Sequence, residues 1–132
     1  MQNYTCVLYI RSLGFIFVGI GGFVGSVLRY LAGLIPVEPS NGFPVKTLVI
    51  NILGSFLLGL IAAAAAKNIN LDPKVVLMLK VGVCGGFTTF STFAYEAQGL
   101  MQSGHTWLAL AYVLLSIILG VAAIFLAQAI IH

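Results

Sequence analysis

The stretch GGFTTFSTFAYE, residues 85–96, sets glycines, hydroxyls, phenyl rings and one carboxylate inside an otherwise apolar run. Gly85-Gly86 is expected to end regular helix there, because glycine is conformationally permissive and Thr88, Thr89 and Thr92 are poor helix formers. A break at membrane depth leaves backbone carbonyls without partners. It is tolerated only where it is buried in protein or faces a cavity. Freed carbonyls are good ligands for a hard cation, so a break facing its symmetry mate can hold a buried Na+. Phe90 and Phe93 follow at i, i+3, on one face of the helix beyond the break. A phenyl ring is negative on its face and positive at its edge, so ring edges there can line an anion path.

Two further stripes carry neutral donors. Thr47, Asn51 and Ser55 stand at i, i+4 and i+8 of one apolar run, and Tyr112 and Ser116 stand at i, i+4 of another. An asparagine near mid-membrane is expensive unless it finds a partner. Such residues also serve as glue between helices, but two stripes beside a broken helix favour a pathway. No Asp or Glu lies at the centre of a run; Glu96 sits toward the end of the third. Hydroxyls and an amide NH2 solvate a small anion without trapping it, which suits passive conduction. No nucleophile–base constellation is present, so no enzyme is expected.

The elements that must position these residues follow from composition. The chain has 132 residues, 61% hydrophobic and 7% charged, against roughly 25% charged in a soluble domain. It is expected to be an all-α integral membrane protein in contact with the lipid bilayer, forming a single transmembrane domain over residues 1–132. Four apolar runs, about 14–35, 45–66, 75–99 and 105–130, each reach spanning length; a span needs about 20 residues. The linkers PVEPSNGFP, KNINLDPK and QSGH carry turn signals, and Asp72-Pro73 is expected to cap the third helix. The lead MQNYTCVLYIRS does not make a secretory signal and is expected to be a short interfacial segment. Cys6 and Cys84 are expected as unpaired thiols. Gly21 and Gly25, with Gly22 and Ser26, give the small-x-x-x-small spacing that lets helices approach closely. His105, His132 and Trp107 lie where membrane edges are expected.

Short links imply antiparallel neighbours, with both termini on one side. Arg11, Lys67, Lys74 and Lys80 then flank that side, and Arg29 and Lys46 the other, a weak bias toward termini inside. The net charge of +3 is scattered at run edges, so no nucleic acid is expected as a partner. Four such helices do not readily enclose a wide aqueous path, and a two-fold homodimer would double the walls.

The residues resemble the Fluc (CrcB-type) fluoride channels over nearly the whole chain. The resemblance rests on GSVLRY in the first run, GFPVKTLVINILGSFLLG in the second, GVCGGFTTFSTFAYE in the third and the Y-x-x-x-S of the fourth. It implies a fluoride-selective passive channel that exports fluoride across the cell's inner (plasma) membrane. It also implies an antiparallel, dual-topology homodimer with two pores and a structural Na+ at its centre. By resemblance, backbone carbonyls of Gly85 and Thr88 hold the cation. Phe90 and Phe93 look like the phenylalanines whose edges face fluoride, and Asn51 like the asparagine beside them. Thr47, Tyr112 and Ser116 fit the polar track, Arg29 the vestibule arginine, and Glu96 an acidic position of the family. Fluoride is strongly hydrated; idealised transfer of a carboxylate-sized ion to low dielectric already costs on the order of 20 kcal/mol, so donors, vestibule charge and cation must share the work.

The alternatives are a small dual-topology multidrug or cation exporter and a non-transporting scaffold. The exporter needs a carboxylate in the first helix, where Arg29 is the charge. The scaffold leaves Asn51, the stripes and the broken helix unexplained together.

Overall fold

The computed structural model describes residues 2–67 and 70–131, with side chains from residue 13 onward. The side chains of Cys6, Arg11 and His132, which enter the readings above, lie outside the described residues. Helix α1 runs over Gln2–Gly33 and α2 over Val45–Lys67. The third span, Pro73–Gln102, is built in pieces. These are α3 (Pro73–Leu77), a π-helical turn (Met78–Cys84), α4 (Gly85–Phe87) and α5 (Phe90–Gln102). Helix α6 runs over Thr106–Ile131. Four helical segments are thus long and apolar enough to cross a membrane. The lead is not a separate segment: from Gln2 onward the backbone is already α1.

The turns between spans are chemically specified. Asp72 accepts from the Lys74 amide at 2.8 Å, with Pro73 as the first helical residue of α3, which satisfies an amide the helix cannot bond itself. At the far end of α5, Gly104 adopts φ 83°. The Gly104 amide donates to Met101 O at 3.1 Å and the His105 amide to Leu100 O at 2.9 Å. That pair of bonds is the Schellman closure, and it needs a residue free to take positive φ.

Small residues set the packing. Helix α1 lies along the π-helical turn and α4, while α2 lies along α6. A Cβ on Gly25 would run into the backbone of Val83 and stand 2.8 Å from Phe87 N; one on Gly86 would stand 2.6 Å from Gly22 O. The G-x-x-x-G of α1 is therefore spent inside this chain, against the third span. Large side chains such as Phe15, Phe23, Leu114 and Phe125 face outward along the spans, the arrangement a lipid environment permits.

The helix does not end at Gly85-Gly86. It continues through Gly85–Phe87 and gives way at Thr88 (φ −78°, ψ 158°) and Thr89 (φ −148°, ψ 116°). The glycine at 86 serves close approach to α1. The threonines make the break themselves. Thr88 Oγ1 donates back to Cys84 O at 2.8 Å, and Thr89 Oγ1 accepts from the Thr92 amide at 3.3 Å as the cap of α5. Hydroxyls of this kind compete with the helical ladder for backbone groups.

Candidate functional site

The break is held from outside by Asn51 on α2. Its Nδ2 donates to Thr89 O at 3.1 Å, and its Oδ1 accepts from the Thr89 amide at 2.8 Å. One side-chain amide thus gives the Thr89 amide the acceptor that the break denies it, and adds a second donor to the Thr89 carbonyl, which as the cap of α5 already accepts the first bond of that helix. Two amides are diverted from the helical ladder here. In a continuous helix the Thr89 amide would bond Gly85 O and the Thr92 amide would bond Thr88 O; they go to Asn51 and to the Thr89 hydroxyl instead. Gly85 is exposed and Thr88 half-buried on the surface of this chain. Their carbonyls are neutral, hard oxygen donors, a set that suits a hard cation such as Na+.

Above the break, Glu96 on α5 gathers two of the polar residues. Thr47 Oγ1 donates to Glu96 Oε1 at 2.7 Å, and the Tyr112 hydroxyl donates to Glu96 Oε2 at 2.8 Å. Tyr112 is fully buried. Its ring meets Phe43 edge-on at 5.5 Å between centroids and Phe93 at 5.1 Å, and Phe93 in turn meets Phe90 at 5.7 Å. Phe90 is 79% exposed, whereas Phe93 is half-buried. Ser116 Oγ donates to its own helix, at Tyr112 O, 2.7 Å away.

Two cavities flank this layer. One of about 340 Å³ is lined by Asn51, Ser55, Lys80, Phe90, Phe93 and Ser116, with Gly85, Thr88 and Thr89. The other, of about 390 Å³, is lined by Arg29, Lys46, Thr47, Thr89, Thr92 and Glu96. Thr89 borders both. The residues singled out in the sequence therefore divide. Asn51, Phe90, Phe93, Ser116, Gly85 and Thr88 share the first cavity, while Arg29, Thr47 and Glu96 share the second. Tyr112 lines neither; it touches Glu96 and Phe93 instead. Lys46, near Arg29, is tethered to Gly33 O at 3.2 Å and to Glu38 at 3.4 Å.

Sequence reasoning missed the roles of Thr89 and Thr92, and it treated Lys80 only as a flanking charge. A threonine three residues ahead of another, at the start of a helix, is a readable cap signal for Thr89. Nothing in the local pattern signals the π-helical turn that carries Lys80. Among the described residues, no group of three or more His, Cys, Asp or Glu could hold a metal ion.

The chain matches the family of CrcB-like protein, Camphor Resistance (CrcB), over residues 16–128. This chain belongs to the CrcB-like family. Every site residue named above lies inside the matched stretch, which reaches into all four spans of this CrcB-like protein. It is 48% identical over 108 residues to the fluoride-specific ion channel FluC of Chlorobaculum tepidum, covering 82% of this chain and 86% of that relative. It is 37% identical over 115 residues to the protein of the same name from Chlorobium phaeobacteroides strain BS1, with 87% and 90% covered. The likeness to FluC of Agrobacterium fabrum is 42% over 109 residues, with 82% and 87% covered. These CrcB-like relatives are named as channels, not enzymes. With four apolar spans and a channel family, the chain is a multi-pass membrane protein.

Proposed function

We propose that this CrcB-like chain is a fluoride-selective passive channel that lets fluoride leave the cell across the inner membrane. The observation that carries the reading is the pair of cavities on either side of the Asn51–Thr89 clamp. Neutral hydroxyl and amide donors and aromatic rings border them. The relatives' names supply the ion. An anion crossing such a layer meets neutral donors around Asn51 and Thr89, with the cations Lys80 and Arg29 in the linings of the cavities to either side, so entry is favourable and exit easy.

The functional unit in this proposal is an antiparallel dimer with two pores. Two copies set their helix breaks face to face, and the carbonyls of Gly85 and Thr88 from each copy surround one Na+. The diversion of the Thr89 and Thr92 amides supports this. When bound, the ion supplies a positive charge at the dimer centre. Phe90, largely exposed on one chain, then becomes a wall of the assembled path together with Phe93. The exporter reading finds no support, since α1 carries no carboxylate along Gln2–Gly33.

The test is fluoride efflux from proteoliposomes, followed with a fluoride electrode, with chloride-loaded vesicles alongside. Rapid fluoride loss with retained chloride is expected. Fluoride loss no faster than from protein-free vesicles would overturn the proposal.

A further inference from the structure

Lys80 is the cationic residue set deepest in the third span, and the polar stripes leave it unexplained. It lies seven positions after Pro73, about 10 Å along a helix rising roughly 1.5 Å per residue. Eight positions separate it from the break at Thr88. A charge at that depth is costly unless it faces a cavity or a partner. Lys80 does border a cavity, the one of about 340 Å³ that also presents Asn51, Phe90, Phe93 and Ser116. Among the described residues, no hydrogen bond or ion pair engages its ammonium. The other cations near the spans differ: Lys46 is tethered to Gly33 O and Glu38, and Lys67 donates to Ile131 O.

The π-helical turn places it there. Met78–Cys84 pairs i with i+5 rather than i+4, which shifts side chains around the axis, and such turns are frequent at functional sites. The lining has no carboxylate; Lys80 and the Cys84 thiol are its ionisable groups. The opposite cavity is different, because there Arg29 shares the lining with Glu96.

We propose that Lys80 is the anion-collecting charge of the cavity beside the phenylalanines, raising the local fluoride concentration before the ion meets Asn51 and the ring edges. This rests on the fluoride-channel reading and deepens it. A cleft of one sign with low-dielectric walls concentrates its counter-ion and raises capture rates by about 10- to 1,000-fold. The effect fades as salt screens it. An ammonium set aside from the narrow layer attracts without blocking.

Wild type and the variants Lys80→Met and Lys80→Arg are compared by initial fluoride efflux at low fluoride, in low and in high concentrations of an impermeant salt. Lys80→Met is expected to lose about tenfold in low salt and to lose most of its salt dependence, whereas Lys80→Arg keeps both. Lys80→Met matching wild type in rate and salt response overturns the inference while leaving the channel reading intact. So does an equal loss in Met and Arg with the wild-type salt response, since that reports damaged packing. A silent wild type removes the channel reading and this inference together. If Lys80→Met does not assemble, Lys80→His carries the test. With an ordinary pKa of about 6.5, its flux relative to wild type should fall from pH 6 to pH 8, and a flat ratio overturns the inference.

Discussion

On the channel reading proposed above, Asn51 has two tasks, and its atoms allow both. Its oxygen and one amide hydrogen hold Thr89, and a carboxamide has a second hydrogen to offer the cavity. Asn51→Asp keeps the size, loses the donor to Thr89 O and sets a carboxylate beside an anion's path. Flux should be abolished, and the midpoint of thermal unfolding should fall, because a carboxylate oxygen then faces the Thr89 carbonyl in place of a donor and the lost hydrogen bond alone is worth about 0.5–1.5 kcal/mol. Normal flux with a lowered midpoint would leave Asn51 as a clamp alone. The two phenylalanines separate in a similar way. Phe93 packs between Tyr112 and Phe90, while Phe90 is largely exposed. Phe90→Ile therefore disturbs little packing within the chain and isolates the contribution of the ring edge. Efflux in Phe90→Ile should drop sharply, with Phe90→Met sparing more because its side chain stays polarizable. Phe93→Ile should lose flux and also about 0.5–1.5 kcal/mol of aromatic contact. Wild-type efflux in both Ile variants would remove the rings from the mechanism.

At the scale of elements, the third span was only half legible. Its existence, its Asp72 cap and the fact of a break follow from hydropathy and from a run of threonines. The position of the break does not follow, because Gly85-Gly86 was free to serve either a bend or a close approach. What decides between them is α1, which lies so near that Gly86 and Gly25 have no room for a Cβ. That is a tertiary fact, and the same contact accompanies the π-helical turn. The link from Glu96 to Thr47 and Tyr112 was likewise out of reach, since it joins three helices by side-chain reach and not by spacing. If α1 packs as described, Gly25→Ala forces a methyl against Val83 O and Phe87 N. Overpacking of this kind costs about 1–3 kcal/mol. Lower yield and a lower unfolding midpoint are expected. An unchanged midpoint would mean that α1 does not lie in that groove.

The four spans were legible for a simple reason: each apolar run is long, and the turns between them are short and strongly marked. How copies of the chain assemble is not written locally, because a dimer interface and a lipid-facing surface are both apolar. The exposed Phe90 and the break with its diverted amides are the points at which one chain looks unfinished. A parallel dimer would give each cavity the same orientation in both copies. An antiparallel one places a Lys80 cavity and an Arg29 cavity on each membrane face. Only the second arrangement makes the two faces equivalent, and cationic residues do stand toward both ends of the bundle: Arg11, Lys67, Lys74 and Lys80 toward one, Arg29 and Lys46 toward the other. That bias is weak, so neither orientation of the chain is strongly preferred. Leu71, exposed in the link before α3, reports the outcome. In a background with Cys6→Ser and Cys84→Ala, Leu71→Cys should react with an impermeant thiol reagent in about half of the copies in intact cells. The remaining copies should react only after the membrane is opened. Reaction of all copies from one side, with none left to label on permeabilisation, would establish a single orientation and overturn the antiparallel assembly.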